Sequence, residues 1–322
     1  MTGVAELSGT DQVVVVGAGL AGAHCAAGLR QGGWRGRIVV VGEEPHTPYD
    51  RPPLSKEVLL GKADATPLDL DLAQLGVELL TGRRATGLTP GVLRTDGGDL
   101  PYDALVIATG AAPRALPGAE RAHLLHTLDD ALALRALLRP GLRLVLVGAG
   151  WIGARPATGW LAGSGVALDA AGAILVDERL RTTLPGVHAA GDCVSYPSAR
   201  AGARLTVQHW DHALQSGAAA AAAVLGAEVA YDPVPYFWSE QFGRTVQYAG
   251  RHGEGDELLW RGSPQDPSWA VLWLRDGVLR ALLTVDRPRD LTQGRRLVER
   301  AAVLDPVRAA DPAVALKSAV AG

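Results

Sequence analysis

The chain has 322 residues, of which 48% are hydrophobic and 40 are glycine, and its formal net charge is −3. A chain of this length can bury a large core and exceeds what one compact domain usually holds, so two domains are expected. The small net charge gives no electrostatic reason to expect nucleic acid or an anionic membrane as a partner.

Two features that would place the chain outside the cytoplasm are missing from the sequence. Residues 1–11 lack the basic and apolar regions of a signal peptide, and no apolar stretch is long enough to span a bilayer. Cys25 and Cys193 are the only cysteines and show no CxxC spacing, so they indicate neither a disulfide framework nor a dithiol centre. The sequence predicts a soluble, cytoplasmic protein, with both cysteines as small buried side chains. We predict no metal site.

The most informative motif follows the first predicted strand. Apolar Val13–Val16 reads as a short buried strand, and residues 21–29 continue as a helix. The turn between them fits GxGxxG, a spacing that lets backbone N–H groups at a helix start face a pyrophosphate. The turn consists of Gly17, Ala18, Gly19, Leu20, Ala21 and Gly22.

Acidic residues complete this first unit. The next predicted strand, Arg37–Val41, is followed by Glu43 and Glu44, and Glu43 lies about 20 residues beyond the last glycine, where a ribose-binding carboxylate is expected. The sequence therefore predicts a complete dinucleotide site at the amino-terminal end.

The middle of the chain begins with a proline-rich loop, residues 45–56, that should hold Arg51 and Lys56 in fixed directions. Residues 79–102 alternate and include the hairpin signal Asp96-Gly97-Gly98. Residues 104–108 then read as a buried strand that ends in Thr109 and Gly110, a strand edge where ligands commonly bind.

A second nucleotide-binding unit begins and is then interrupted. A short helix over residues 129–138 leads to the strand Leu142–Val147 and to a second GxGxxG turn, residues 148–153. Arg155-Pro156 follows at once, and a proline there stops any helix within about one turn. Asp192 lies only 39 positions after Gly153, and no second ribose carboxylate lies at the required distance. We predict a truncated second dinucleotide domain, interrupted near residues 150–156.

The rest of the chain divides near residue 231. Residues 173–177 and 186–190 read as strands, the second of them leading to Gly191 and Asp192, and residues 208–224 read as a helix. Residues 10–230 are thus expected to form the first domain, and 231–322 a tryptophan-rich α+β domain. In this second domain we predict four strands, over residues 245–249, 258–261, 270–274 and 278–285. We also predict a helix capped by Asp290 and another begun by Asp311-Pro312.

Five motifs in this order resemble the flavoprotein family of pyridine-nucleotide reductases, in the branch of ferredoxin and rubredoxin reductases that includes apoptosis-inducing factor. The resemblance covers nearly the whole chain except the interrupted unit. The motifs are residues 16–22, residues 48–56, Ala108-Thr109-Gly110, residues 186–192 and residues 235–241.

The resemblance implies an α/β fold: a Rossmann-like FAD-binding domain with a parallel sheet, a truncated second dinucleotide domain and a carboxyl-terminal α+β domain. It implies FAD on the glycine turn, with Glu43, and its neighbour Glu44, at the adenosine ribose. Lys56 is the expected catalytic residue, near flavin N5 and O4, with His209 or Glu240 as proton donors. The other implied FAD contacts are Arg51, Ala85, Thr109, Gly110, Arg114, Gly191, Asp192, His209, Trp210 and Trp238.

The chain departs from the family where the NAD(P)H domain should begin, because Arg155 stands at the position of a glutamate that lies near the nicotinamide. Without this domain NADH should be a poor donor, since binding of its adenosine half normally positions the nicotinamide. Three functions remain open: an oxidoreductase that acts on an organic substrate or a redox protein, a flavin-bound accessory or regulatory protein, and a domain-deleted ferredoxin reductase. The uncovered apolar surface predicts a homodimer or a partner complex.

Overall fold

The computed structural model describes residues 11–114, 117–118, 121–146 and 154–321. The chain folds into two compact units, one ending at Tyr231 and the other beginning at Asp232. The first unit alternates strands and helices. Its strands are β1 (Gln12–Val16), β2 (Arg37–Val41), β3 (Glu78–Leu80), β4 (Ala85–Thr89), β5 (Val92–Thr95), β6 (Leu100–Pro101), β7 (Ala104–Ile107), β8 (Ala111–Pro113), β9 (Ala154–Pro156), β10 (Ile174–Leu175), β11 (Val187–Ala189), β12 (Val194–Ser198) and β13 (Ala203–Leu205), and its helices are α1 (Leu20–Gln31), α2 (Leu128–Leu137) and α3 (Trp210–Val224).

A five-stranded parallel sheet forms the centre of the first unit, with the strand order β11-β7-β1-β2-β3. In β1, Val14 lies opposite Val39 of β2 on one side and Leu105 of β7 on the other. All three side chains are fully buried, as expected for parallel strands covered on both faces. The predicted strand, turn, helix and strand at the amino-terminal end are confirmed, and the α/β fold class with them.

The described residues of the first unit form three smaller sheets as well, one of them with the strand order β10-β12-β13. Strands β4, β5 and β6 form an antiparallel sheet around the predicted hairpin at Asp96. Strands β8 and β9 form an antiparallel ribbon, in which Ala112 lies opposite Arg155. The ribbon joins the two stretches of chain on either side of the interrupted unit.

The predicted strand Leu142–Val147 is wrong over residues 142–146, which form no regular structure and are exposed. Val145 and Leu146 expose 89% and 85% of their surface, because no strand among the described residues pairs with this stretch. Val147 and the second glycine turn, residues 148–153, lie outside the described residues. After the turn, residues 154–156 are a strand and not a helix, as the proline at 156 requires.

Helices and cysteines of the first unit follow the sequence closely. Helix α2 is shifted by one residue from its predicted bounds, and α3 begins at Trp210, two residues later than predicted. Cys25 and Cys193 are both fully buried and reduced, and burial raises the pKa of the Cys193 thiol to about 11. Within the described ranges, no helix is both long and apolar enough to span a bilayer.

The second unit is an antiparallel sheet with helices packed on one face. The sheet has the strand order β14-β15-β18-β17-β16, and its core joins Leu272 and Leu282 of the sheet to Leu291 and Leu297 of the first helix. The elements are β14 (Tyr236–Gln241), β15 (Arg244–Gly250), β16 (Glu257–Arg261), β17 (Trp269–Arg275), β18 (Val278–Val285), α4 (Pro288–Glu299) and α5 (Pro306–Ala310). The four predicted strands are confirmed.

Both predicted helix starts in this unit are wrong by a few residues. Because α4 already begins at Pro288, Asp290 lies inside its first turn. There it forms a buried ion pair with Arg261 (2.8 Å). Asp311 ends α5 and does not start a helix. The helix starts instead at Asp305-Pro306, the same acid-proline signal six residues earlier, where Asp305 accepts a hydrogen bond from the Arg308 N–H.

Candidate functional site

The site is assembled at one edge of the parallel sheet. The carboxyl ends of β2, β1, β7 and β11 lie side by side in that order, because these strands are neighbours and parallel. They are followed by Glu43, the glycine turn, Thr109 and Gly191, respectively. An extended ligand lying along this edge can contact all four loops, which is how open parallel sheets hold dinucleotides.

The glycine turn between β1 and α1 is built for close backbone packing and for an anion. A Cβ atom on Gly17 (φ +114°) would lie 2.1 Å from the Ala108 carbonyl oxygen, and one on Gly22 would lie 1.8 Å from the Gly17 carbonyl oxygen. A Cβ on Gly19 would meet nothing within 4 Å. Helix α1 starts at Leu20 without a side-chain cap or an acidic residue in its first turn. Its N–H groups therefore face open space, where a pyrophosphate is favoured.

Gly22 and Gly19 give a matched test of the two roles of the turn, which are close backbone packing and anion binding. We expect Gly22→Ala to lower the free energy of unfolding of the apoprotein by about 3 kcal/mol, because the new methyl group overlaps a backbone carbonyl. We expect Gly19→Ala to change stability by less than about 0.5 kcal/mol but to weaken FAD binding about tenfold or more, because its methyl group enters the open space. Chemical denaturation and FAD titration measure the two effects. Equal loss of stability in both variants would contradict this assignment.

Glu43 and Ala85 lie close together beyond the glycine turn. Glu43 follows β2 and forms an ion pair with Arg84 (2.8 Å), the residue that precedes Ala85 at the start of β4. Glu43 remains largely exposed, with 61% of its side chain accessible. The predicted ribose carboxylate and the predicted adenine contact are thus brought to the same end of the site.

Glu44 and Arg51 contact each other, which sequence reasoning did not foresee. Arg51 donates to Glu44 Oε1 (2.5 Å) and to the His126 carbonyl oxygen, and the Tyr49 hydroxyl donates to Glu44 Oε2 (2.5 Å). The Tyr49 oxygen also accepts the Leu128 N–H at the start of α2 (2.9 Å). Both carboxylate oxygens of Glu44 therefore accept hydrogen bonds within the protein, one from Arg51 and one from Tyr49.

The loop that carries Lys56 is held from two sides. Residues Pro52–Ser55 form a short 3-10 turn, and the half-buried Lys56 ends it. Tyr49 and Arg51 fix the loop to the start of α2, while Asp50 accepts a hydrogen bond from the Trp210 indole N–H (2.7 Å) at the start of α3. The loop that carries Lys56 is therefore fixed by hydrogen bonds to the starts of α2 and α3, in agreement with the stiffness expected from its prolines.

Thr109, Gly110 and Arg114 lie along the β8–β9 ribbon. The Thr109 hydroxyl donates to the Ala157 carbonyl oxygen (2.9 Å), and the Gly110 carbonyl oxygen accepts the Ala157 N–H (2.9 Å). The exposed Arg114 donates to the Ala154 carbonyl oxygen (3.2 Å). These contacts attach the return strand β9 firmly to the end of β7.

Asp192 is the most unusual group in the first unit. It follows Gly191 in a short 3-10 turn after β11, and its Oδ1 is buried without a hydrogen-bond partner among the described residues. Burial raises the pKa of this carboxyl to about 7, and the positive charge of Arg51 lowers it in part. A buried acceptor without a donor is expensive, so this position indicates a ligand that donates a hydrogen bond. The ribityl hydroxyls of FAD fit that requirement.

The last predicted contacts lie on α3 and β14. His209 immediately precedes α3, and its side chain makes no capping hydrogen bond, so the helix start can face a ligand. Burial lowers the pKa of His209 to about 4, and a neutral imidazole at pH 7 is a poor proton donor. Trp238 lies in β14 of the second unit, opposite Gln247 and stacked on Tyr236 with 6.1 Å between ring centroids.

Family models account for both units. The model of the pyridine nucleotide-disulphide oxidoreductases matches residues 11–158 and, as a second segment, 151–217. The model of the reductase carboxyl-terminal domain matches residues 236–320. The two segments of the first match meet at the interrupted unit.

Similar proteins extend over almost the whole chain. The probable ferredoxin reductase CtmF of Castellaniella defragrans is 30% identical over 402 aligned positions, which cover 96% of this chain and 98% of that protein. The ferredoxin reductase component of a chlorobenzene dioxygenase from a Cupriavidus species is 31% identical, with 93% and 95% covered. The crystal structure of Fdr9 is 36% identical with a TM-score of 0.89, covering 95% of this chain and 99% of that one. The 402 positions exceed the 322 residues of this chain by 80, so at least that many positions of CtmF have no counterpart here. The chain belongs to the pyridine nucleotide-disulphide oxidoreductase family, in the branch of the ferredoxin reductases, whose members bind FAD.

Proposed function

We propose that the protein is an FAD-dependent oxidoreductase that transfers electrons between its flavin and a ferredoxin-type iron–sulfur protein, without a bound nicotinamide nucleotide. The similarity to ferredoxin reductases over more than nine-tenths of the chain supports the class of partner. The complete set of loops along the edge of the parallel sheet supports the cofactor.

One observation carries the second half of the proposal. Strand β9 begins at Ala154, directly after the second glycine turn, and pairs with β8. A nucleotide site needs a helix after such a turn, with its N–H groups facing the pyrophosphate. No residues are left between Gly153 and the strand to form that helix. The at least 80 positions of CtmF without a counterpart are consistent with the loss of a whole domain.

The residues of the first unit have separate tasks in this proposal. When bound, FAD supplies a group that accepts and releases electrons. The glycine turn holds the pyrophosphate, Glu43 the adenosine ribose, and Asp192 a ribityl hydroxyl. The positive end of α3, at His209 and Trp210, favours negative charge at the pyrimidine edge of the reduced ring. Lys56 adds a positive charge on its rigid loop.

The same reasoning assigns the exposed apolar segment. Residues 142–146 include four exposed aliphatic side chains: Leu142, Leu144, Val145 and Leu146. Monomeric proteins rarely leave such a stretch uncovered. We propose that a second copy or the redox partner covers it.

The proposal is tested by photoreducing the flavin without oxygen and mixing it with an oxidised [2Fe–2S] ferredoxin from a bacterial oxygenase system. We expect saturable reoxidation of the flavin, with two equivalents of ferredoxin reduced for each FAD, because the cluster takes one electron at a time. Lys56→Met should slow this step by about tenfold to a hundredfold, whereas Lys56→Arg, which keeps the charge, should slow it much less.

One result would contradict the proposal, and another would change only the role of Lys56. A reduced flavin that ferredoxin does not reoxidise, although it reacts with oxygen, would favour the accessory or regulatory protein. Equal rates for Lys56→Met and the wild type would remove Lys56 from the electron-transfer step while leaving the partner class intact.

A further inference from the structure

A buried polar network lies directly beneath Gly191. Gly191 has a left-handed backbone (φ +77°), and both of its peptide groups are held by side chains of α3. Its N–H donates to Ser216 Oγ (2.8 Å), and its carbonyl oxygen lies 3.2 Å from His212 Nε2. Ser216 and His212 expose 0% and 4% of their surface, so neither contact competes with water.

The contacts of His212 determine which ring nitrogen carries the proton. A carbonyl oxygen can only accept, so Nε2 must donate to Gly191. Nδ1 therefore accepts, and its partner is the Tyr231 hydroxyl at 2.8 Å. Burial lowers the pKa of His212 to about 4, which leaves the ring neutral with this single N–H. The ring also stacks on Tyr196, with centroids 5.3 Å apart.

The network connects two elements that the proposed flavin site uses. Gly191 precedes Asp192, whose buried Oδ1 has no partner in the described part of the chain. His212 lies in the first turn of α3, two residues after Trp210. Ser216 lies one turn further on and donates to the His212 carbonyl oxygen (2.7 Å). Any rotation of the Gly191 peptide would move the Asp192 carboxylate relative to the start of α3.

We propose that His212, fixed by Tyr231 and assisted by Ser216, is a positioning residue for the flavin, because it locks the Gly191 peptide and thereby fixes Asp192 relative to the amino end of α3. Ligand groups must be held within a fraction of an ångström for their hydrogen bonds to act together. The inference depends on FAD binding but not on ferredoxin as the partner.

The test compares the same exchange at two buried histidines. His212→Phe keeps an aromatic ring against Tyr196 and removes both hydrogen bonds. His188→Phe is the matched control, since His188 in β11 is also buried, and burial lowers its pKa to about 4 as well. His212→Gln retains an N–H donor of similar reach toward the Gly191 carbonyl oxygen. FAD affinity, the fine structure of the visible flavin band and the midpoint potential are measured for each variant.

We expect His212→Phe to weaken FAD binding about tenfold, to blur the flavin band and to lower the midpoint potential, since the helix start would stabilise the reduced ring less. His212→Gln should recover most of the affinity, and His188→Phe should match the wild type. Wild-type affinity, spectrum and potential in His212→Phe would overturn the inference, as would an equal loss in His188→Phe.

A milder variant covers the case in which His212→Phe does not fold. Tyr231→Phe removes only the hydroxyl that fixes the tautomer, and we expect about threefold weaker FAD binding with a potential shift in the same direction. An unchanged potential and affinity in this variant would overturn the inference. Because FAD affinity is measured without ferredoxin, failure here leaves the proposed electron-transfer function untouched.

Discussion

Replacement of Asp192 by asparagine is expected to weaken FAD binding while it stabilises the apoprotein. The carboxylate is the acceptor proposed for a ribityl hydroxyl, and a hydrogen bond to a charged group contributes about 1.5–3 kcal/mol. We therefore expect FAD affinity to fall by about tenfold to a hundredfold. In the apoprotein the Oδ1 atom of this carboxylate is buried without a partner among the described residues, so its charge opposes folding. A substitution that only damages the fold would weaken FAD binding and also destabilise the apoprotein, so the two opposite changes are specific to this carboxylate.

The stabilisation should depend on pH in a defined direction. Burial raises the pKa of Asp192 from 3.8 to about 7, so between these values the folded protein binds more protons than the unfolded chain. The stability of the wild type must then fall, relative to the variant, as the pH rises through this window. The two apoproteins should be nearly equal near pH 4, and Asp192→Asn should be more stable by up to about 4 kcal/mol at pH 8.

Denaturant unfolding of both apoproteins across this pH range gives the measurement. The buried histidines whose pKa values are lowered, His188, His209 and His212, act in the opposite direction below their unfolded value, but they are present in both proteins and cancel in the difference. Parallel stability curves from pH 4 to pH 8 would show that Asp192 is not a penalised carboxylate.

NADH is expected to reduce the flavin only by a slow reaction that does not saturate. A bound nicotinamide benefits from an effective molarity that can reach about 10⁵ M or more, which a domain provides by holding the rest of the nucleotide. Strand β9 begins at Ala154, directly after the second glycine turn, and among the described residues no helix follows that turn to face a pyrophosphate. In anaerobic stopped-flow experiments the observed rate should rise linearly with NADH concentration into the millimolar range.

A gain-of-function variant provides the control. The segment of CtmF that has no counterpart in this chain is inserted between Gly153 and Ala154. The rate of flavin reduction should then saturate with NADH concentration, if the rest of the flavin site is intact. Saturable reduction of the natural chain by stoichiometric NADH within milliseconds would refute the proposal that it binds no nicotinamide nucleotide.

Local signals in the sequence predict most of the elements but not the contacts between them. The GxGxxG turn and the two valine-rich strands around it are confirmed because their glycine spacing and burial follow from short-range rules. The strand wrongly predicted at Leu142 shows the limit of such rules, because an apolar stretch becomes a strand only where another strand can pair with it. The helix start predicted at Asp311-Pro312 is wrong because Asp305-Pro306 carries the same acid-proline signal, and α5 begins there.

The groups that support the site could not be found from the sequence. Tyr49 meets Leu128 across 79 residues, and Trp210 meets Asp50 across 160. Neither pair has a motif, and each joins the loop after β2 to the start of a helix that is distant in sequence. His212 and Tyr231 lie only 19 residues apart, but a histidine inside an alanine-rich helix looks like an ordinary core residue until its two partners are known. The motif residues were visible in the sequence, whereas the network that fixes them was not.

The β8–β9 ribbon brings together the two parts of the chain between which a domain could be inserted or removed. Its two strands run antiparallel, with Pro113 opposite Ala154, so the outgoing and returning chains pass side by side. Chain ends that lie close together allow a whole domain to be inserted or removed without disturbing the host fold. Under the function proposed above, loss of a coenzyme domain at this place would change the electron source of the flavoprotein while its flavin site remains in place.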